Sequence, residues 1–472
     1  MPRISILSYL RALTVEPLMF LYMLASFMQY PTFQALVYNK VCLEAYNASL
    51  CENLDNDTFS QEDTYVQKQT SQWIQYNNIA LAVPSFVVVL LFLGPVGDSV
   101  GRKLTLVLPI IGCILYTINN LVCVVTSSCS VSYLLVGSVL NGLFGGFVAC
   151  MMSMYSYVGH ISSQEFRTIR ISVLESMIYL AGGVGALISG VMLDGTSFLF
   201  VFSFILGTLL SALIYVLLFV KNIKPEQSVY SRLSLKQKTL LTFKEPWLCV
   251  TKHREGRIVL HLLLLIFSIF ILMMMTAGEN DVLLLFTRLP KLDWSQSIYG
   301  YYKGAENFLR GLGVLILLPL ILRKFRLRDT TLIYLGLVSK ITSLLVIGFS
   351  MKTWMVFLGG VLGVLQGFPS AGIRSLMSGM VNTNEQGKMF GLVASAESMA
   401  MLIATVLFNN LYSATLDILD GFCFLFAAGL GLLIGIVVIC VHCTYVRVDE
   451  EPYTTLTEEE SYEGNPNSGD GI

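Results

Sequence analysis

Gly94-Pro95-Val96-Gly97-Asp98-Ser99-Val100-Gly101-Arg102-Lys103 stands between two long apolar runs, and its reading decides the fold. Each residue type has a physical job in such a place. Asp98 falls at a helix end, where a carboxylate can cap a neighbouring helix N-terminus or pair with a base. Gly101 permits the tight turn between two antiparallel helices. Arg102 and Lys103 hold the loop on one side of a membrane and can pair with acids on adjacent helices. Such a latch would stabilise one of two arrangements of the chain. The plainer alternative is an ordinary short basic loop.

The flanks show what kind of chain this is. Of 472 residues, 55% are apolar and only 13% are charged, against roughly 25% charged in an average soluble protein. A soluble globule of this length needs more polar surface than that. A disordered chain is excluded by the apolar content, and a net charge of −1 argues against nucleic acid as a partner. About 20 apolar residues cross a bilayer as a helix. Twelve such runs are expected, near 16–38, 77–97, 104–126, 131–154, 170–193, 197–220, 258–286, 297–322, 329–349, 353–378, 388–412 and 417–444. None alternates as a barrel strand does. The first run contains Pro17 and Pro31 and no cleavage site follows it, so it reads as a span and not as a signal peptide.

Charge sets the orientation. Loops near 98–103, 160–170 and 323–328 and the long loop 221–257 are rich in Lys and Arg, and the alternate loops are poor in them. The positive-inside rule puts the basic loops, and with an even number of spans both termini, in the cytoplasm. The expected outer loop, 39–76, carries the glycosylation acceptors Asn47-Ala48-Ser49 and Asn56-Asp57-Thr58. It also holds Cys42 and Cys51, either a disulfide in an oxidising compartment, two free thiols, or a link to another chain. The expected organisation is all-α: residues 1–220 as a six-helix half, 221–257 as a cytoplasmic connection, 258–444 as a second six-helix half, and 445–472 as a disordered acidic tail. Within that tail, Tyr453-Thr454-Thr455-Leu456 has the form of an endocytic sorting signal. Plasma and endolysosomal membranes both fit.

The segment from Gly94 to Lys103 resembles the G-x-x-x-D-x-x-G-R-R/K signature of the major facilitator superfamily, whose two six-helix halves pack around a central cavity. A narrower resemblance runs along most of the chain. Gly97-Asp98-Ser99-Val100-Gly101-Arg102-Lys103, Arg167-Thr168-Ile169-Arg170 with Leu174-Glu175, Arg374 with Asn384-Glu385-Gln386-Gly387, and residues 408–416 are similar, in the same order, to the proton-coupled folate transporter family. The resemblance implies a secondary transporter that moves an organic anion with protons, and ties Glu175 to proton coupling. It also implies a histidine where this chain has Thr276. The loop at residues 323–329 keeps the bases but not the full signature.

Charges inside spans are where function is expected, because each costs roughly 2.5–3.5 kcal/mol at the bilayer centre unless it has a partner, a cavity or a proton. Glu175 lies among Ile171, Leu174, Met177 and Ile178 and can carry a proton between two access states; a structural ion pair is the alternative. Glu279 and Asp281 could line the cavity or bind protons. Arg374 presents a guanidinium fork suited to a carboxylate or phosphate, after Pro369, Ser370, Ala371 and Gly372, which suggest an interrupted helix. It could equally anchor its span's end. Lys340 and Glu397 are expected to form a buried pair or to shape solute preference. Lys303, Glu306 and Arg310 fall on one helix face, with Glu306 a candidate for solute contact. His261 reads as a helix-end structural group or a titrating one.

The chain shows no H-E-x-x-H, G-x-S-x-G or P-loop, and its four histidines are scattered, so an enzyme, a metal site and a cofactor are not expected. The implied partners are membrane lipid, a small organic anion and protons. The competing classes are a non-transporting receptor or scaffold on the same fold, and a proton-independent carrier of another solute.

Overall fold

In the computed structural model, the residues described are 14–51, 60–89, 93, 101–126, 129–162, 164–223, 257–294, 296–325, 328–382, 385–415 and 418–444. They form twelve long helices. These are α1 (Glu16–Ala45), α2 (Ser60–Val88), α3 (Arg102–Val125), α4 (Val131–Ile161), α5 (Gln164–Gly195), α6 (Phe198–Phe219), α7 (Ile258–Thr287), α8 (Gln296–Leu312, prolonged to Phe325), α9 (Asp329–Gly348), α10 (Thr353–Met380), α11 (Gln386–Thr415) and α12 (Phe422–Thr444). In lipid every backbone N–H and C=O must be satisfied within the chain, and helices do this segment by segment. Ten of them, α3 to α12, are long and apolar enough to cross a membrane. The other two are as long but more polar: α1 carries Glu16, Gln29, Lys40 and Glu44, and the first half of α2 reads Ser60-Gln61-Glu62-Asp63-Thr64.

That polarity corrects the expected outer loop. Much of 39–76 is helical, since α1 runs on to Ala45 and α2 already begins at Ser60. Lys, Glu and Gln are good helix formers, so the helices extend beyond their apolar runs. Only a short connection remains between them. It holds a one-turn helix, Ala48–Cys51, closed onto α1 by a Cys42–Cys51 disulfide. Asn47 is exposed beside it, and Asn56 lies outside the described residues.

The first six helices and the last six use the same pairings. α1 packs on α5, α2 on α4 and α3 on α6; in parallel, α7 packs on α11, α8 on α10 and α9 on α12. The two sets meet where α5 touches α8 and α10, and where α4 touches α11. Small residues make the crossings close. A Cβ on Gly336 of α9 would fall 2.2 Å from the Pro369 ring of α10, and one on Gly278 of α7 would fall 2.3 Å from the Phe408 ring of α11. Contact this close between helices is the usual means of association in lipid.

Two helices are interrupted. α4 bends at Gly145, whose φ of +87° only glycine adopts at no cost. α10 is broken into a first rod, Thr353–Leu362, and a second, Phe368–Met380, joined by a tight turn at residues 363–367. Pro369 opens the second rod, where its missing N–H costs nothing.

Candidate functional site

The ends of the bundle differ. At the end carrying Arg102, Arg167 and Arg328, the basic end, the two sets of helices are tied together. Thr168 of α5 donates to Asp329 Oδ1 of α9 at 2.8 Å and lies 2.7 Å from the Ser375 hydroxyl of α10. Ser375 donates to Asp329 Oδ2 at 3.0 Å. Gly159 of α4 sits against Gln386 and Ser378, which bond each other at 2.8 Å.

The signature segment lies at this end. Gly94 and Asp98 fall outside the described residues. Gly101 has a φ of +133°, a conformation that favours glycine, and faces Asn222. Arg102 donates to the carbonyl and hydroxyl of Ser156 on α4, and Lys103 donates to the Leu217 carbonyl of α6 at 2.7 Å. These bases thereby clasp two neighbouring helices through hydroxyl and backbone oxygens.

Toward the disulfide end from these ties lies a cavity of about 470 Å³ between the two sets of helices. Its floor is a charged cluster. Arg374, from the second rod of α10, donates through Nη1 to Glu175 of α5 and through Nη2 to Glu397 of α11. Glu175 Oε1 also accepts from Tyr155 of α4 at 2.7 Å and from Ser370 at 2.9 Å. The Tyr155 ring lies under the guanidinium, 4.5 Å away. A carboxylate from the first set of helices and one from the second therefore share one cation.

A second cluster lies on the wall formed by α7, α8 and α9. Glu306 takes Lys303 through one oxygen at 2.6 Å and Arg310 through the other at 2.7 Å, and accepts from Gln366 at 3.1 Å. Lys340 of α9 pairs with Glu279 of α7. Lys303 also reaches Asn280 at 2.9 Å, and Arg310 stacks 5.0 Å from the Tyr179 ring.

These placements rearrange the expected pairings. Lys340 and Glu397 do not pair with each other; each has a closer opposite charge on another helix, Glu279 and Arg374 respectively. Both terminal nitrogens of Arg374 are held by carboxylates, so in this arrangement it presents no free fork to the cavity. Glu175, Arg374, Glu397 and Lys340 reach the cavity surface, whereas Glu279 and Glu306 sit behind the cations they bind. Asp281 is off the cavity, with Oδ2 buried and unpartnered among the described residues. His261 ties α7 to α12 through Thr444 at 2.7 Å. Tyr155 and Gln366 complete the site without having been singled out from the sequence, as does Ser370, which was noted there only as part of an interrupted helix. They are uncharged residues in apolar or small-residue runs, and only the fold brings them to the charges.

The sequence profile of the Major Facilitator Superfamily matches residues 15–405. The "Proton-coupled folate transporter" of Bos taurus is 31% identical, over 91% of this chain and 93% of the relative. The "Lysosomal proton-coupled steroid conjugate and bile acid symporter SLC46A3" of Gallus gallus is 29% identical over 90% and 92%. Among solved structures, the human organic anion transporter MFSD10 (TETRAN) superposes with a TM-score of 0.70, at 15% identity, over 90% of this chain and 98% of that one. The Escherichia coli fucose:proton symporter FucP superposes with a TM-score of 0.65 at 11% identity, over 90% and 97%.

Proposed function

This chain belongs to the major facilitator superfamily, among the relatives of the proton-coupled folate transporter, and we propose on that premise that it carries an organic anion together with protons by alternating access. The observation that carries the reading is the shared guanidinium at the cavity floor: Glu175 and Glu397, from opposite halves, both held by Arg374.

The chemistry follows from the charges. With both carboxylates ionised, the floor holds one cation between two anions and is net negative. A proton on either carboxylate cancels that excess and lets the halves close over a loaded cavity without burying a net charge. When the halves rock, Glu175 on α5 and Arg374 on α10 change their separation, so the proton's affinity for the site changes with the side to which the site opens. Each unit of pH difference supplies about 1.4 kcal/mol per proton, enough for roughly tenfold accumulation of the solute. Glu279, in contact with Lys340, and Asp281, just beyond it on α7, are further carboxylates from which a proton could enter.

The basic end is the cytoplasmic one by the distribution of Lys and Arg. Both termini then lie in the cytoplasm, with Asn47, Asn56 and the disulfide on the opposite face, where the asparagines accept glycans. The basic-end ties of Thr168, Ser375 and Asp329 then make this an outward-facing arrangement with its cytoplasmic gate shut. The membrane is that of the cell surface or of an endolysosome.

The test is uptake of labelled folate and of taurocholate into proteoliposomes at an outer pH of 5.5 and of 7.4, with the inner pH held at 7.4. Concentrative uptake at pH 5.5 that collapses with a protonophore supports the reading. Uptake indifferent to both overturns it, and a scaffold would show no accumulation at all.

A further inference from the structure

The cavity is electrically lopsided. In the ion-paired cluster on the wall of α7, α8 and α9, three cations, Lys303, Arg310 and Lys340, face two carboxylates, Glu306 and Glu279, an excess of one positive charge within the cluster, while Asp281 of α7 lies off the cavity. On the floor one cation faces two carboxylates, an excess of one negative charge. The cations of the wall line the cavity, and the carboxylates that hold them are behind, each with a side chain 2% exposed. Opposite this wall, the first six helices present Phe27, Phe147, Val148, Met151 and Ile178, an apolar surface.

We propose that the solute's anionic group docks on Lys303, Arg310 and Lys340, not on Arg374. This deepens the reading of proton-coupled anion transport and rests on it. Three features support the assignment. Arg310 Nε is buried with no hydrogen-bond partner among the described residues, although a guanidinium N–H without an acceptor is costly. Lys303 is the most open of the three cations, with a side chain 20% exposed, and its ammonium has three donors to share. The cavity, about 470 Å³, is in the range for a drug-sized ligand. Arg374 Nε is also unpartnered, but the two carboxylates flanking that guanidinium repel a second anion. The proton and the anion thus have separate addresses in one cavity, the proton on the net negative floor and the anion on the net positive wall. Glu306 acts on the solute only by positioning Lys303 and Arg310, one on each of its oxygens.

The experiment is equilibrium binding to the purified full-length chain in detergent at one pH, with no gradient. The probes are estrone sulfate, an apolar ring system with one anionic group, and neutral estrone. The expected result is that the sulfate binds at least tenfold more tightly than estrone, that Lys303→Gln removes most of this preference, and that Lys303→Arg keeps it. A wild-type chain with no preference for the sulfate, or a Lys303→Gln chain that retains it in full, overturns the proposal. Because binding is read without transport, loss of pH-driven uptake with the preference intact would strike the coupling and leave the subsite standing.

Discussion

Glu175 and Glu397, on helices from opposite halves of the chain, hold the two terminal nitrogens of one guanidinium, that of Arg374. The halves are therefore coupled electrostatically at the point where the cavity ends.

Replacing Glu175 with Gln keeps its shape and removes its proton site. We expect uptake by Glu175→Gln to vary less than twofold between pH 5.5 and 7.4, whereas wild-type uptake falls at least tenfold over that interval. Estrone sulfate binding should persist, because the wall of α7 to α9 is untouched. Initial-rate uptake at both pH values checks this; a steep pH profile in the variant would remove Glu175 from the coupling.

Arg374→Met leaves two buried carboxylates facing each other. Breaking a buried pair by removing one partner costs about 3–5 kcal/mol, so this variant should unfold at a markedly lower temperature in detergent. The triple variant with Glu175→Gln and Glu397→Gln should recover much of that loss, since no bare charge remains. Thermal unfolding of the three chains, wild type, single variant and triple variant, tests the argument.

Thr168→Val with Ser375→Ala removes the hydroxyls that tie α5 and α10 to Asp329. Each hydrogen bond contributes about 0.5–1.5 kcal/mol net, and one to a charged group more. The population open at the basic end should then rise several-fold or more. A cysteine placed at Ser378, beside the closed contact of Gly159 and Gln386, should react faster with a membrane-impermeant maleimide from the basic side.

Gly336→Leu should be among the most damaging substitutions that leave every charge in place. The added side chain meets the Pro369 ring at the joint of α9 and α10, and overpacking costs about 1–3 kcal/mol or more. Gly429→Leu on α12, where nothing lies within 4 Å, is the control and should unfold with the wild type.

The spans were readable because lipid leaves the backbone few choices, and ten helices fall where apolar runs of bilayer length occur. Glu175 and Arg374 were readable too, because an intramembrane charge is rare enough to stand out. Their partners were not. Arg374 could have served as an anion-binding fork or a span-end anchor until α5 and α11 were brought to it. Lys340 and Glu397 seemed natural partners by sign, but the nearest opposite charges came from α7 and α10. Sequence spacing predicts contacts within one helix, as it did for Lys303, Glu306 and Arg310. It carries no information on which helices are neighbours. Tyr155 had no signal at all, being a tyrosine in a Met-rich run, and Ser370 was marked only by the helix interruption, not as a partner of Glu175.

The break in α10 has a mechanical consequence. Its second rod, Phe368–Met380, carries Arg374 and Ser375 on consecutive residues, the first gripping Glu175 and Glu397 and the second gripping the basic-end closure. A stiff rod pivoting at residues 363–367 cannot shift one without displacing the other. Arg374 and Ser375 are thus two teeth on a single spindle: any release of the guanidinium turns the closure by the same stroke, and the gearing between chemical state and passage needs no relay of intervening side chains.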